Sequence, residues 1–450
     1  MPDFLFAASF KLSSDDFYRM KYLSTNGKSA PVSFSEATLN GQPPDKGLYF
    51  PEKIPKLAQD FLKNLKDKSK AEIAFEVIRP FVGDTIPENE LFQICEETVN
   101  FPFPLVKVTE EIHALELFHG ATLAFKDVGA RFMSRCLQYF CREKTEKTIV
   151  IVATSGDTGG AVANGFLGVE GVEVVILYPS RKVSKIQELQ LTTLGRNITA
   201  LEVAGTFDDC QSLAKTALAD EEIKRKVFLT SANSINVARW LPQQFYYFYA
   251  LQQWTENIAP VVCVPSGNFG NICAGLLAQK SGLPVGKFIA ACNANDIVPR
   301  FLKDGNFAAQ TSLSTLSNAM DVGNPSNFVR IQKLFADDLQ VLRENMEAVS
   351  VSDETTAATM REVYQTHNYI LDPHGAVAFR ALEDFQAANK KRKGFFLATA
   401  HPVKFDSVKE IIGTFGETPA VVNELLSRPK RSIEMSVNYD ELKDILLSKI

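Results

Sequence analysis

The sequence predicts an α/β chain with open, mostly parallel sheets in two domains plus an N-terminal segment. Three observations carry this. At 450 residues the chain is too long for one simple core. From about residue 147, short continuous apolar runs alternate with helical stretches. Buried strands joined by crossover helices must pair in parallel.

The run 148–154 reads as the first of these strands, followed by a helix over 161–168. Then come strand 172–178, helix 184–194, strand 198–203, a helix from 208 to about 225, and strand 227–231. The order repeats with strand 261–265, helix 272–281 and strand 287–292. Upstream, 61–70 reads as a basic helix, and 112–118 alternates like a strand. Between about 300 and 370 the pattern is mostly helical, with 313–327 as a long polar loop. The final strand is 394–400, followed by an exposed helical tail. The expected division is an extension over 1–19 and an N-terminal segment over 20–100. A larger unit comprises 101–130 and 226–450, and a smaller one 131–225.

Composition excludes several function classes. Hydrophobic residues make up 45% and charged residues 22%, with net charge −5 and pI near 5.7, unlike the basic surface of a nucleic-acid binder. The basic run Lys390-Lys-Arg-Lys393 reads as a solvated loop. No apolar stretch approaches the ~20 residues that span a bilayer, and no basic head precedes the apolar patch at the start. Seven cysteines without a CxxC pair read as reduced packing residues of a cytoplasmic protein. The five histidines are scattered without ligand spacing, so no metal is expected. No GxSxG elbow is present.

Chemistry concentrates in a few segments. Ser155-Gly-Asp-Thr-Gly-Gly160 lies between a strand and a helix, where glycines allow close approach and free N–H groups attract an anion. It fits neither GxGxxG nor the P-loop. Ser266-Gly-Asn-Phe-Gly-Asn271 occupies the equivalent position on a later strand and can form a cup of donors for a phosphate monoester. Lys126, between Phe125 and Asp127, follows an apolar lead-in that suits a desolvated amine nucleophile. Ser231-Ala-Asn-Ser-Ile-Asn-Val-Ala-Arg239 offers amides, hydroxyls and a guanidinium suited to an oxyanion. Taken singly, each also reads as a plain turn or a surface charge.

Together and in this order, the segments resemble threonine synthase of the fold-type-II pyridoxal-phosphate enzymes, which are tryptophan synthase β-like, and within it the enteric-bacterial and fungal subgroup. The matching residues are Leu117-Phe-His-Gly-Ala-Thr-Leu-Ala-Phe-Lys-Asp127, Ala153-Thr-Ser-Gly-Asp-Thr-Gly-Gly-Ala161, Asn233-Ser-Ile-Asn236 with Arg239, Ser266-Gly-Asn-Phe-Gly-Asn271, Asp372-Pro-His-Gly-Ala376 and Ala398-Thr-Ala-His-Pro402. Tyr22-Leu-Ser-Thr-Asn26 and Gly47-Leu-Tyr-Phe-Pro51 match as well. Ala121, where the family has proline, and Val128, where it has an aromatic residue, depart from the pattern without removing a polar group.

The resemblance implies that Lys126 joins pyridoxal 5'-phosphate as an internal aldimine and then carries protons. It implies that Gly267, Asn268, Phe269, Gly270 and Asn271 hold the cofactor phosphate, and that the Thr399 hydroxyl faces the pyridine nitrogen. Thr154, Ser155, Gly156, Asp157 and Thr158 would clasp the substrate α-carboxylate. Ser234, Asn236 and Arg239 would address the substrate phosphate. The implied reaction converts O-phospho-L-homoserine and water to L-threonine and phosphate, the last step of threonine biosynthesis, in a monomer or homodimer with no nucleic-acid or membrane partner. A phospholyase releasing 2-oxobutyrate is the neighbouring alternative; a non-catalytic amino-acid-phosphate binding protein is the alternative from another class.

Overall fold

The computed structural model describes residues 20–142, 147–389 and 392–449. The extension over 1–19 and part of the basic run at 390–393 lie outside these residues.

Two sheets organise the chain. The larger has six strands in the order Met346–Ser350, Lys287–Cys292, Val261–Pro265, Gly394–Ala398, Ile112–Glu116 and Leu105–Lys107. All neighbours pair in parallel except Leu105–Lys107, which is antiparallel to Ile112–Glu116. The smaller sheet has five parallel strands in the order Ile433–Met435, Ile198–Val203, Val172–Pro179, Thr148–Ala153 and Phe228–Ser231. Thr148–Ala153, Ile198–Val203 and Gly394–Ala398 are buried along their whole length, as expected for strands covered on both faces.

The N-terminal segment packs on the larger unit. Tyr22–Ser24 pairs antiparallel with Tyr49–Pro51, and Tyr22 and Phe34 are fully buried. Arg330 fastens this segment from the far side: its guanidinium donates to Tyr49 O, to Ile235 O and to Asn327 Oδ1, and it stacks over Trp240. Trp240 and Trp254 are buried, and all seven cysteines are free and buried.

Several expectations need correction. The basic helix at 61–70 is instead a short helix, Gln59–Lys63, then a 3₁₀ turn, Leu65–Asp67. Ser69 starts a new helix, Lys70–Val82, because its hydroxyl and Glu72 form a reciprocal capping box. The helix expected over 208–225 breaks at Asp220, whose carboxylate accepts from the N–H groups of Glu222 and Ile223 and so caps a second helix, Glu221–Lys226. The region 300–370 contains the strand Met346–Ser350, an edge strand whose mixed polarity hides it from apolar patterning. The 313–327 loop is ordered, since Asp321 accepts from the Thr315 N–H and hydroxyl and from the Asn293 amide.

Strand 394–398 is not the last. The tail returns to the smaller sheet, where Ile433–Met435 pairs with Ile198–Val203 and helix Tyr439–Leu447 buries Leu442 and Leu446. A boundary at 225 therefore cuts this sheet, because Phe228–Ser231 and Ile433–Met435 both belong to it. Lys430 secures the return, lying 2.6 Å from Glu202 Oε2 and 2.7 Å from Glu188 Oε1.

Candidate active site

Every chemistry-bearing segment lies at the carboxyl end of a strand, where open α/β sheets form their clefts. The 117–126 segment follows Ile112–Glu116, 154–158 follows Thr148–Ala153, and 232–239 follows Phe228–Ser231. Likewise 266–271 follows Val261–Pro265, and 399–404 follows Gly394–Ala398.

Lys126 opens the helix Lys126–Cys141. Its approach segment is stitched to the end of strand 394–398. The Phe125 N–H donates to Thr399 O at 2.8 Å, the His401 N–H donates to Leu123 O at 3.0 Å, and Ala124 bridges Ala400. Thr399, distant in sequence, thus lies beside the lysine's own backbone. These bonds hold Leu123 at φ 56°, a left-handed conformation that costs a non-glycine residue about 1–2 kcal/mol. Asp127 is buried and accepts from the Thr122 N–H at 2.8 Å and from its hydroxyl, closing a tight loop just before the lysine. Burial lowers the Lys126 ammonium pKa from its ordinary value; Asp157 opposes the shift, while Lys404 and Arg239 reinforce it. The shift is toward the neutral amine, the form that attacks a carbonyl.

The 266–271 segment forms an anion seat. Phe269 sits at φ 59° and turns the chain into helix Gly270–Lys280, whose first N–H groups have no side-chain cap. Asn271 Oδ1 accepts from the Tyr247 hydroxyl at 2.8 Å. Its Nδ2 is buried and has no partner, a donor left over for an anion. Asn268 donates to Ser234 Oγ at 2.8 Å and accepts from the Ser326 N–H at 2.7 Å. Consecutive tyrosines on helix Phe245–Gln253 tie the centre together, Tyr246 donating to Phe125 O and Tyr247 to Asn271. These residues fit a phosphate-bearing cofactor beside a reactive lysine.

The third segment leads into helix Asp157–Phe166. Thr154 is buried and its hydroxyl accepts from the N–H groups of Gly156 and Gly159, so it shapes the loop from within. Gly156 stands at φ 152°, and a methyl there would lie 2.6–2.7 Å from the Gln187 amide, so the position requires glycine. Asp157 pairs with Lys404 at 2.7 Å. Burial alone would raise its carboxyl pKa, but the Lys404 and Lys126 ammonium groups outweigh this and hold it below the ordinary carboxylate range.

The segment 232–239 is only partly brought to the seat. Ser234 reaches it through Asn268 and Asn327. Asn236 does not: it is fully buried, its Oδ1 caps the turn at Ala238, and its Nδ2 donates to Thr38 O of the N-terminal segment. Its amide thus ties the segment to the N-terminal segment and caps the turn at Ala238. Arg239 is buried against Gly129 of the Lys126 helix and donates to Ala232 O, with its Nε–H unpaired.

Reading the sequence missed Lys404, Gln187, Arg330 and Asn327, each a polar residue whose partners lie far along the chain. His374, in a motif that was noted, orders the loop over the seat by accepting the Ala319 N–H on Nε2, with Nδ1 2.6 Å from Asp372. A cavity of about 530 Å³ opens on the outer flank of the lysine loop, among Phe101, His119, Leu123, Arg131 and His401. Lys126 is not among its walls, so this cavity is separate from the seat.

Comparison with known sequences identifies the family. The pattern described as "Pyridoxal-phosphate dependent enzyme" matches residues 101–399. Those of "Threonine synthase N terminus" and "Threonine synthase, C-terminal" match 21–99 and 375–446. Threonine synthase of Serratia marcescens is 42% identical over 95% of this chain and 99% of its own length. The chain belongs to the threonine synthase family. Saccharomyces cerevisiae threonine synthase is 37% identical over 94% of this chain and 93% of its own length. Among solved structures, threonine synthase from Escherichia coli superposes with TM-score 0.89 at 41% identity, covering 96% of this chain and all of that one. A threonine synthase from Brucella melitensis, described as bound to pyridoxal phosphate, superposes with TM-score 0.88 at 34% identity over 95% and 98%. Membership makes the chain a pyridoxal-phosphate-dependent enzyme of the fold-type-II class, and the Lys126 loop and the 266–271 seat have the chemistry that cofactor requires. No helix among the described residues is long and apolar enough to cross a membrane.

Proposed function

We propose that the chain is a cytoplasmic threonine synthase that converts O-phospho-L-homoserine and water to L-threonine and phosphate. The observation that carries this reading is a desolvated lysine accompanied by two anion seats on different sheets. One is the uncapped start of helix Gly270–Lys280 with the orphan Asn271 amide; the other is the start of helix Asp157–Phe166. Such a pairing suits a cofactor phosphate together with a substrate that carries its own carboxylate. Free, buried cysteines accord with a reducing compartment.

Bound pyridoxal phosphate supplies the electron sink that makes protons at Cα and Cβ of an amino acid removable. The protein's own groups do the rest. The 155–158 N–H groups would orient the substrate carboxylate, Ser234 and Arg239 would take its phosphate, and Thr399 would offer its hydroxyl to the ring nitrogen. Lys126, whose ammonium pKa burial lowers, would accept the Cα proton and return protons from the same side. Loss of a Cβ proton then expels phosphate from Cγ, a proton is added at Cγ, water adds at Cβ and a proton returns to Cα, so the atoms of the phosphoester and one water reappear in threonine and phosphate.

Product analysis tests this. Incubation with O-phospho-L-homoserine should yield threonine and phosphate in equal amounts. Accumulation of 2-oxobutyrate with phosphate, and no threonine, would refute it in favour of a phospholyase.

A further inference from the structure

Strand Gly394–Ala398 of the six-stranded sheet and strand Thr148–Ala153 of the five-stranded sheet both end beside the Lys126 loop. A dry ion pair joins the segments that follow them. Lys404 Nζ lies 2.7 Å from Asp157 Oδ1, with side-chain exposures of 0% and 4%. The same ammonium donates to Thr122 O at 2.7 Å, in the loop that leads to Lys126. Helix Lys185–Thr192 completes the circuit: Gln187 donates to Asp157 Oδ1 at 2.9 Å and Gln190 to Thr122 O at 2.9 Å. The lysine loop, the strand end after Thr399 and the start of helix Asp157–Phe166 are therefore held in one closed ring of bonds.

Such a ring is a poor source of stability. Desolvating two charges consumes most of their attraction, and apolar side chains of equal volume would join the two units as firmly. What apolar contact cannot supply is direction. An ammonium bound to a carboxylate on one unit and a carbonyl on the other fixes both in distance and in angle.

We propose that Lys404 is a positioning residue for the reaction. It sets the N–H groups of 155–158 at a fixed offset from the Lys126 loop, so that a substrate anchored by its carboxylate presents Cα to the lysine. The inference rests on the reading that 155–158 bind the α-carboxylate. Displacement of about 1 Å at such an anchor is enough to cost a large rate factor.

The test uses the full-length holoenzyme, its Lys404→Met variant, and 3-aminopropyl phosphate, which is the substrate without its carboxylate. The variant should retain its cofactor absorbance and bind pyridoxal phosphate within about twofold of wild type. KM for O-phospho-L-homoserine should rise about 10-fold or more, while inhibition by 3-aminopropyl phosphate stays unchanged. Hydrogen exchange should quicken in peptides covering 119–125 and 154–160 and nowhere else. Equal weakening of substrate and analogue, or faster exchange across both sheets, overturns the proposal and leaves the carboxylate reading standing. Equal binding of substrate and analogue by the wild type removes that reading and the proposal with it. Should Lys404→Met fail to fold, Gln187→Met and Gln190→Met decide the matter, each expected to raise KM in the same direction; an unchanged KM in both overturns it.

Discussion

Gly267→Ala is the sharpest probe of the cofactor seat. A methyl at residue 267 would lie 2.5 Å from Met320 Cα and 3.1 Å from its carbonyl carbon and oxygen. Carbon atoms pack comfortably at about 3.5–4 Å, so the gap must open by roughly 1 Å. The obstacle is backbone, and no rotamer change can relieve it. That backbone is also held in place: the neighbouring Ala319 N–H donates to His374, and Asp321 is bound by Thr315 and Asn293. Overpacking of this kind costs about 1–3 kcal/mol. If the 266–271 loop yields, cofactor affinity falls by about 5- to 150-fold. Titrating the apoprotein with pyridoxal phosphate and following visible absorbance measures this directly. Gly171→Ala is the control, because Gly171 has a positive φ but open space around it. Cofactor affinity of Gly267→Ala within twofold of wild type would refute the placement of the seat.

Other predictions follow from the same geometry. Lys126→Ala should lower turnover about 10²- to 10⁴-fold while leaving the melting curve in place, since it removes a proton carrier and opens no core; assay of the purified variant, with calorimetry, checks both. Because burial lowers the Lys126 pKa, its neutral form appears at lower pH than for a free lysine, so borohydride-trapped cofactor uptake by the apoprotein should rise with pH to a midpoint below about 10.4. A midpoint at or above that value contradicts the burial argument. Arg330→Met strands the buried carbonyl of Tyr49 and the half-buried one of Ile235, which lose donors at 3.0 and 2.6 Å; at about 1–3 kcal/mol for a buried acceptor, stability in urea should fall by at least about 1 kcal/mol.

Much of this was legible in the sequence because buried parallel strands are continuous apolar runs. Val261–Pro265, Lys287–Cys292 and Thr148–Ala153 stand out for that reason. Met346–Ser350 and Ile433–Met435 do not, since each lies at a sheet edge with one side toward water. The glycine-bearing turns were visible because backbone geometry demands glycine locally, as at Gly156. Lys404 and Arg330 were invisible: a buried cation looks like any other lysine or arginine until the chain brings its acceptors from far away. Asn236 has a structural part that its polar motif does not announce: its partners, Ala238 N and Thr38 O, make it a joint between segments.

The way the tail completes the smaller sheet bears on how the chain folds. A growing chain that has reached residue 232 holds four of that sheet's five strands. Ile198–Val203 then stands as an unpaired edge until residues 433–435 arrive, with the rest of the larger unit still to be made. A strand edge left open that long invites pairing with other chains. Closing it requires contacts between distant parts of the chain, which form slowly. Shortening the tail should therefore affect the soluble yield of newly made protein before it affects the chemistry of the finished enzyme.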